Sequence, residues 1–394
     1  MMESNIDEKN TEAKEAKIIS SFNGSAYGGF DEAFRNMMKS SGCTAVLVLA
    51  HVNPDGDAAG SVMSIAHYLR VKYPEFTIIP YIGSNIDKGP KLMLDEDPYF
   101  RPLEKPEMQL RNSMGGALSG RDLHNEGAAL SGGGVTELKP GSFAVISCDT
   151  STEERVCGHE YFENAAASIA IDHHENSGLF ADANYVRIGE ANCENIYYAI
   201  GYENLKSAVE IEKKSHNGPC AADYLYLGIM HDTETFSRTT VALLEAAEGL
   251  LKLGVVQAKL MRTVNTKTLA DLRKQGYLLS LTKRACADDC AYIMVSSETA
   301  KEYNITYEDI HPLSGILRDC EDVRIGFSMF EDEPGHWRLS FRSDGKWINL
   351  NDLLSPLGGG GHDAAAGLKK WTDEPEKLKN DIIDRIVQMR KNMQ

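Results

Sequence analysis

Histidine and aspartate recur at four places in this chain, each time at the end of an apolar run. The first is His51-Val-Asn-Pro-Asp-Gly-Asp-Ala-Ala-Gly-Ser61, which follows Ala45-Val-Leu-Val-Leu-Ala50. The second is Asp149, after Ser142-Phe-Ala-Val-Ile-Ser-Cys148, and the third is Asp172-His-His174, after Ala167-Ser-Ile-Ala-Ile171. The fourth is Asp232, in His231-Asp-Thr233. Any one of these alone is an ordinary turn or helix cap. Gathered on one rim, they would bring five carboxylates into one pocket: Asp55, Asp57, Asp149, Asp172 and Asp232. Like charges at that density cannot all stay ionised uncompensated, and a pair of divalent cations is the simplest compensation. Mixed imidazole and carboxylate ligands suit manganese. Two such ions about 4 Å apart can share a hydroxide nucleophile and stabilise a displacement at phosphorus. Asp55 and Asp57 alternate around Gly56, so their carboxylates can point at two different ions.

The elements that would carry these residues are legible from their patterning. Ala45–Ala50, Phe76–Ile82, Ser142–Cys148 and Ala167–Ile171 are apolar, β-branched runs that read as buried parallel strands. Helical periodicity separates them over 30–39, 61–70, 191–200 and 221–230. Strands alternating with helices predict a doubly wound parallel sheet, in which ligands sit at the carboxyl ends of strands. The pattern over 242–283 is helical throughout, and a second, smaller α/β unit follows. Its strand candidates are Cys290–Val295, Val323–Phe330 and Trp337–Arg342, with Glu333-Pro-Gly-His336 as a hairpin turn. The expected organisation is a disordered tail over 1–17, a catalytic domain over 18–256, a helical connector over 257–283 and a substrate-binding domain over 284–394. A glycine-rich stretch over about 101–140 lacks Gly-Lys-Ser/Thr and reads as a surface insertion rather than a phosphate loop.

Bulk properties narrow the function classes. The 394 residues carry 58 acidic and 41 basic side chains, a formal charge of -17. That balance disfavours duplex DNA, whose binding rests on Lys and Arg contacts to phosphate. A small anionic substrate held by a few basic groups and metal ions remains compatible with it. The eight cysteines are scattered, and the lone Cys286/Cys290 pair is weak for zinc, so free thiols in a reducing cytosol are expected. The polar amino terminus is unlike a signal peptide, and no apolar run reaches the roughly 20 residues of a membrane span. A soluble, cytoplasmic protein is expected. His67, His124 and His216 read as ordinary helix or surface residues.

HVNPDGDAAGS, VISCDTST, IDHH and GIMHDT, in that order, resemble the four motifs of the DHH phosphoesterases. FRSDGKW and GGGGHDAAAG resemble the family's C-terminal DHH-associated domain. The resemblance covers about residues 30–390, apart from the glycine-rich stretch. It implies that His51 and Asp55 hold one manganese, that Asp57, His173 and Asp232 hold the other, and that Asp149 bridges them; Mg²⁺ or Co²⁺ could replace manganese. It also implies that Asp172 orients and polarises a ligand imidazole and that His174 faces the scissile phosphate. Arg342, Gly358, Gly359, Gly360, Gly361 and His362 would grip the substrate, and amides exposed by consecutive glycines suit a phosphate.

Within the family the chain is most similar to the nanoRNase and pAp phosphatase group. That similarity implies cleavage of short oligoribonucleotides to 5′-mononucleotides and conversion of pAp to AMP, by two-metal activation of a bridging hydroxide. Hydrolysis of pApA or cyclic-di-AMP is the close alternative. A catalytically silent nucleotide-binding regulatory protein is the alternative of a different class. Single-stranded oligonucleotides or nucleotide bisphosphates are therefore the expected partners, with no membrane and with a homodimer allowed. The chain departs from the family pattern at His231 and Glu234, where small residues or glycine are more usual, and at Ala191-Asn-Cys-Glu194. These departures bear on substrate preference more than on metal binding, with His231 and Glu234 expected to face solvent.

Overall fold

The computed structural model describes residues 18–22, 28–83, 86, 88–102, 105–106, 138–264, 267–287 and 289–391. The expected tail over 1–17, with His124 and most of the glycine-rich stretch, lies outside the described residues. The chain divides into two compact units, Met1–Thr266 and Lys267–Gln394. The helical stretch over 257–283 is shared between them.

In the first unit the strands are β1 (Ile18–Ser20), β2 (Ala45–Leu49), β3 (Thr77–Tyr81), β4 (Phe143–Cys148), β5 (Ala167–Asp172) and β6 (Ala183–Arg187). The helices are α1 (Phe30–Ser41), α2 (Gly56–Lys72), α3 (Lys88–Asp95), α4 (His159–Glu163), α5 (Asn192–Ile200), α6 (Tyr202–Ser215), α7 (Ala221–Asp232), α8 (Val241–Lys252) and α9 (Gln257–Val264). The sheet order is β1-β6-β5-β4-β2-β3. Strands β2 to β6 run parallel, and β1 closes one edge antiparallel to β6. Every residue of β2 and β4 is buried, as both faces are covered. Val46, Val48 and Ile146 pack with Phe34, Val62 and Leu225 on one face, while Leu47, Leu49 and Val145 pack with Tyr161 and Phe162 on the other. This is the doubly wound sheet expected from the alternation of strands and helices. Because β3 and β4 lie on opposite sides of β2, the order switches at the carboxyl ends of β2 and β4, where such sheets open a ligand crevice.

The second unit holds β7 (Lys283–Ala285), β8 (Cys290–Val295), β9 (Ile325–Glu333), β10 (His336–Ser343), β11 (Gly360–Gly361) and β12 (Ala365–Trp371). Its helices are α10 (Leu269–Ser280), α11 (Ser297–Tyr303), α12 (Tyr307–Ile310), α13 (Leu313–Arg318), α14 (Leu350–Leu354) and α15 (Pro375–Lys391). The sheet is mixed, in the order β11-β12-β10-β9-β8-β7, with only β8 and β9 parallel among its pairs. Pro334-Gly335 turns β9 into β10, with Gly335 at φ 82°. Cys286 and Cys290 are joined by a disulfide, contrary to the expectation of free thiols, because the β7–β8 hairpin brings their Cα atoms to 5.5 Å.

His67 is not the ordinary helix residue expected. It is fully buried on α2, with Nδ1 2.5 Å from Glu212 Oε1 and Nε2 2.7 Å from Asp97 Oδ2. Tyr224 Oη donates to the same Asp97 oxygen at 2.6 Å, so the network ties α2 to α6, α7 and the segment after α3. Burial alone would push the His67 imidazole down, but Asp97 and Glu212 outweigh it and lift the group from 6.5 to about 9. A group raised on folding contributes its full stabilisation below its unfolded value and loses it as pH rises through the folded one. We therefore expect the unfolding free energy to fall by about 3 kcal/mol between pH 6.5 and 9 from this group. Urea denaturation of the parent and of His67→Gln at both values checks this; equal pH slopes in the two proteins would contradict it.

Candidate metal centre

The ligand candidates converge at the carboxyl ends of β2, β4 and β5 and at the end of α7. His51 follows β2, where its backbone bridges Val156. Asp55 caps α2, accepting from the amides of Asp57 at 2.9 Å and Ala58 at 3.0 Å. Asp149 directly follows β4 with φ 54°, a left-handed conformation that aspartate tolerates better than most residues. Asp172 ends β5 and Asp232 ends α7.

Two trios result. The donor atoms of His51, Asp55 and Asp149 lie within 4.8 Å of one another, as do those of Asp57, His173 and Asp232. Asp149 faces both, with Oδ2 3.5 Å from His51 Nε2 and Oδ1 3.3 Å from His173 Nε2. His173 Nε2 is also 3.6 Å from Asp232 Oδ2. The two imidazoles are held alike. His51 Nδ1 donates to the Val52 carbonyl at 2.8 Å, and His173 Nδ1 donates to the Gly189 carbonyl at 3.1 Å. A carbonyl can only accept, so each ring must carry a proton on Nδ1, and Nε2, which faces the carboxylates, is the atom a metal ion would take in place of a proton.

Electrostatics make the same demand for positive charge. Burial pushes the Asp57 carboxyl well up, reinforced by Asp232 and Asp149, and Asp55 moves up for the same reasons. Burial would lower His51, but Asp149 outweighs it and raises that imidazole to about 9. Asp149 is held down, against its burial, by His173 and His51. Its Oδ1 is buried with no hydrogen-bond donor, as is Asp172 Oδ2. Carboxylate oxygens buried at this density around imidazoles that must otherwise carry the positive charge themselves fit divalent cations, which would supply that charge and displace the Nε2 protons.

Asp57 itself depends on a close approach between helices. It is fully buried and accepts from the amides of Asn192 at 2.5 Å and Cys193 at 3.0 Å, at the first turn of α5. A Cβ on Gly228 would collide with Cys193 Sγ and sit 2.5 Å from Asp57 Oδ1, and one on Gly60 would sit 2.5 Å from the Tyr224 carbonyl. The Asn192-Cys193-Glu194 departure therefore serves the carboxylate of Asp57, through main-chain groups that side-chain patterning does not reveal. Glu194 meanwhile pairs with buried Arg187 at 2.6 Å.

Three further placements differ from expectation. Asp172 Oδ1 lies 2.8 Å from Nδ1 of His174, so it orients that residue, because the Gly189 carbonyl takes the His173 ring nitrogen. His231 does not simply face solvent: its donor atom lies within 4.8 Å of those of Asp55 and Asp232. In the second unit, the Gly358 and Gly359 amides donate to the Ser355 and Leu354 carbonyls, and the Gly361 amide donates to Asn351 Oδ1. The glycine run thus spends these donors internally. Its groove, of about 360 Å³, is lined by Tyr307, Arg338 and Lys369, which the motif reading missed. The alternation of Arg338, Ser340 and Arg342 along β10 was the available signal. Arg342 donates to the Phe341 carbonyl at 3.0 Å, and His362 is exposed.

The family model for the N-terminal domain of the DHH family matches residues 45–229, and that for the DHHA1 domain matches residues 290–389. The chain is 25% identical over 343 residues to the bifunctional oligoribonuclease and PAP phosphatase NrnA of Bacillus subtilis (strain 168), covering 86% of this chain and 93% of that protein. It is also 25% identical over 353 residues to the protein of the same name from Mycoplasma pneumoniae, covering 87% and 90%. A solved exopolyphosphatase-related protein from Bacteroides fragilis shares the fold, with a TM-score of 0.66 and 19% identity over 92% of this chain and 97% of that one. With the ligand cluster, these matches define a metal-dependent phosphoesterase. The chain belongs to the DHH family and carries the DHHA1 domain as its second unit.

Two substitutions test the local reading. Gly228→Ala should cost about 1–3 kcal/mol by overpacking and weaken metal binding by displacing Asp57, checked by denaturation and metal titration. Glu234, Thr235 and Phe236 follow Asp232 with φ of 49°, 60° and 67°. The conformation is held by the Thr235 amide on the Met230 carbonyl at 2.7 Å and the Phe236 amide on Thr233 Oγ1 at 2.9 Å. Glu234→Gly should relieve about 1 kcal/mol of this left-handed strain, seen as a higher denaturation midpoint; a lower midpoint would refute the strain.

Proposed function

We propose that this chain is a manganese-dependent phosphoesterase that hydrolyses short oligoribonucleotides to 5′-mononucleotides and converts pAp to AMP. The observation that carries the reading is Asp149, which offers one oxygen to each of two ligand trios. Near full-length similarity to relatives named as oligoribonucleases and PAP phosphatases supports the substrate class. His51 and Asp55 hold one ion, Asp57, His173 and Asp232 hold the other, and Asp149 bridges them. When bound, the ions supply Lewis-acid polarisation of the phosphate and a water of lowered pKa. The chain's own residues do the rest. The carbonyls of Val52 and Gly189 fix both ligand imidazoles, and the α5 amides fix Asp57. Asp172 holds His174 by Nδ1, and in its doubly protonated form this half-exposed ring would present Nε2–H to the scissile phosphate.

In the second unit, Arg342, His362 and the Gly358–Gly361 run grip the substrate. With most of the run's amides already engaged, the glycines allow close approach, while Arg342 and the groove's Arg338 and Lys369 supply positive charge. The formal charge of -17 is consistent with selection against long duplexes.

The test is hydrolysis by purified protein with Mn²⁺ of a labelled dinucleotide, pAp, cyclic-di-AMP and a 24-mer. We expect the dinucleotide and pAp to be cleaved faster than the 24-mer, and chelation to abolish turnover. Asp149→Asn should lose more than the roughly 10–100-fold typical of removing a ligand's outer partner. Faster hydrolysis of cyclic-di-AMP would reassign the substrate, and undiminished activity of Asp149→Asn would remove the two-metal reading.

A further inference from the structure

His231 stands outside both ligand trios yet touches each. Its donor atom lies within 4.8 Å of the carboxylate oxygens of Asp55, from one trio, and Asp232, from the other. Its Nδ1 is 4.0 Å from Asp232 Oδ1, and the side chain is 27% exposed, placing it at the solvent side of the centre. A Cβ on Gly56 would sit 2.6 Å from the His231 Cγ and Cδ2, so the imidazole packs directly against the first turn of α2. Only glycine at position 56 admits it there. The last turn of α7 then carries two successive donor residues, an imidazole and a carboxylate, into the same cluster.

We propose that His231 is an additional metal-ligating side chain of this centre, and that it shifts the centre's preference from manganese towards later divalent metals such as cobalt. The proposal rests on the dinuclear reading above. A third imidazole beside His51 and His173 raises the share of nitrogen donors in a set that is otherwise carboxylate. Nitrogen donors favour cobalt, nickel and zinc over manganese, while carboxylates favour the harder ion. The rim position of His231 lets it add a nitrogen donor where the two trios meet, between Asp55 of one and Asp232 of the other.

The experiment is metal binding by the full chain, without substrate. Mn²⁺ and Co²⁺ affinities are measured by calorimetric titration of metal-free protein, and bound Co²⁺ is followed by its visible d–d absorption. We expect His231→Gln to weaken Co²⁺ binding by at least the roughly tenfold that follows removal of even a ligand's outer partner, with a smaller change for Mn²⁺ and an altered Co²⁺ spectrum. His231→Asp, which substitutes an oxygen donor, should move the Co²⁺/Mn²⁺ affinity ratio towards manganese. Circular dichroism verifies that each variant folds, and the aspartate variant reads the same ratio if the glutamine variant does not. Identical spectra and ratios in parent and variants would overturn the His231 proposal while leaving the dinuclear centre intact. Absence of Mn²⁺ and Co²⁺ binding by the parent would overturn both.

Discussion

The first unit is organised around the burial of one carboxylate. Asp57 sits at zero exposure in the start of α2, and an ionised carboxylate there is tolerable only with donors and a nearby positive charge. Two amides of α5 supply the donors. They can reach Asp57 because Gly60 and Gly228 remove the side chains that would hold α2 and α7 apart. The same helix is pinned farther along by His67 between Asp97 and Glu212, so its rotation is set from both ends. A ligand site of this kind is a packing problem before it is a chemical one.

Asp149 has the complementary task. Its left-handed backbone turns the carboxylate across the mouth of the crevice at the β2/β4 switch, where each oxygen meets a different imidazole. Strained backbone concentrates here and in Glu234–Phe236, on either side of the centre, as expected where geometry is imposed by function and stabilised by the surrounding fold. The two imidazoles donate to main-chain carbonyls, which do not themselves titrate.

The second unit shows how a motif can be right about place and different in mechanism. Its glycines line a groove with Arg338 and Lys369, but pairing of β11 with β12 and the cap by Asn351 take up amides that a free loop would present. A strand pair needs those donors, and a string of four glycines gives no indication of whether it is paired.

The sequence by itself determined the parallel sheet, since β2, β4 and β5 must be buried on both faces and read as unbroken apolar runs. It also determined which ionisable residues end those runs, because a strand's carboxyl tip follows directly from where its apolar run stops. The DHH match at 45–229 spans these stretches, while the DHHA1 match lies at 290–389 in the second unit. Contacts between residues distant in the chain were decided only by tertiary structure: the α5 amides on Asp57, the Gly189 carbonyl on His173, Asp172 on His174 instead of His173, and the His67 network. The disulfide and the placement of His231 belong with them. Backbone donors carry no residue signature, and the face a helix-end histidine presents depends on what its neighbour lacks. Here that is the Cβ of Gly56, which no periodicity in α7 could report.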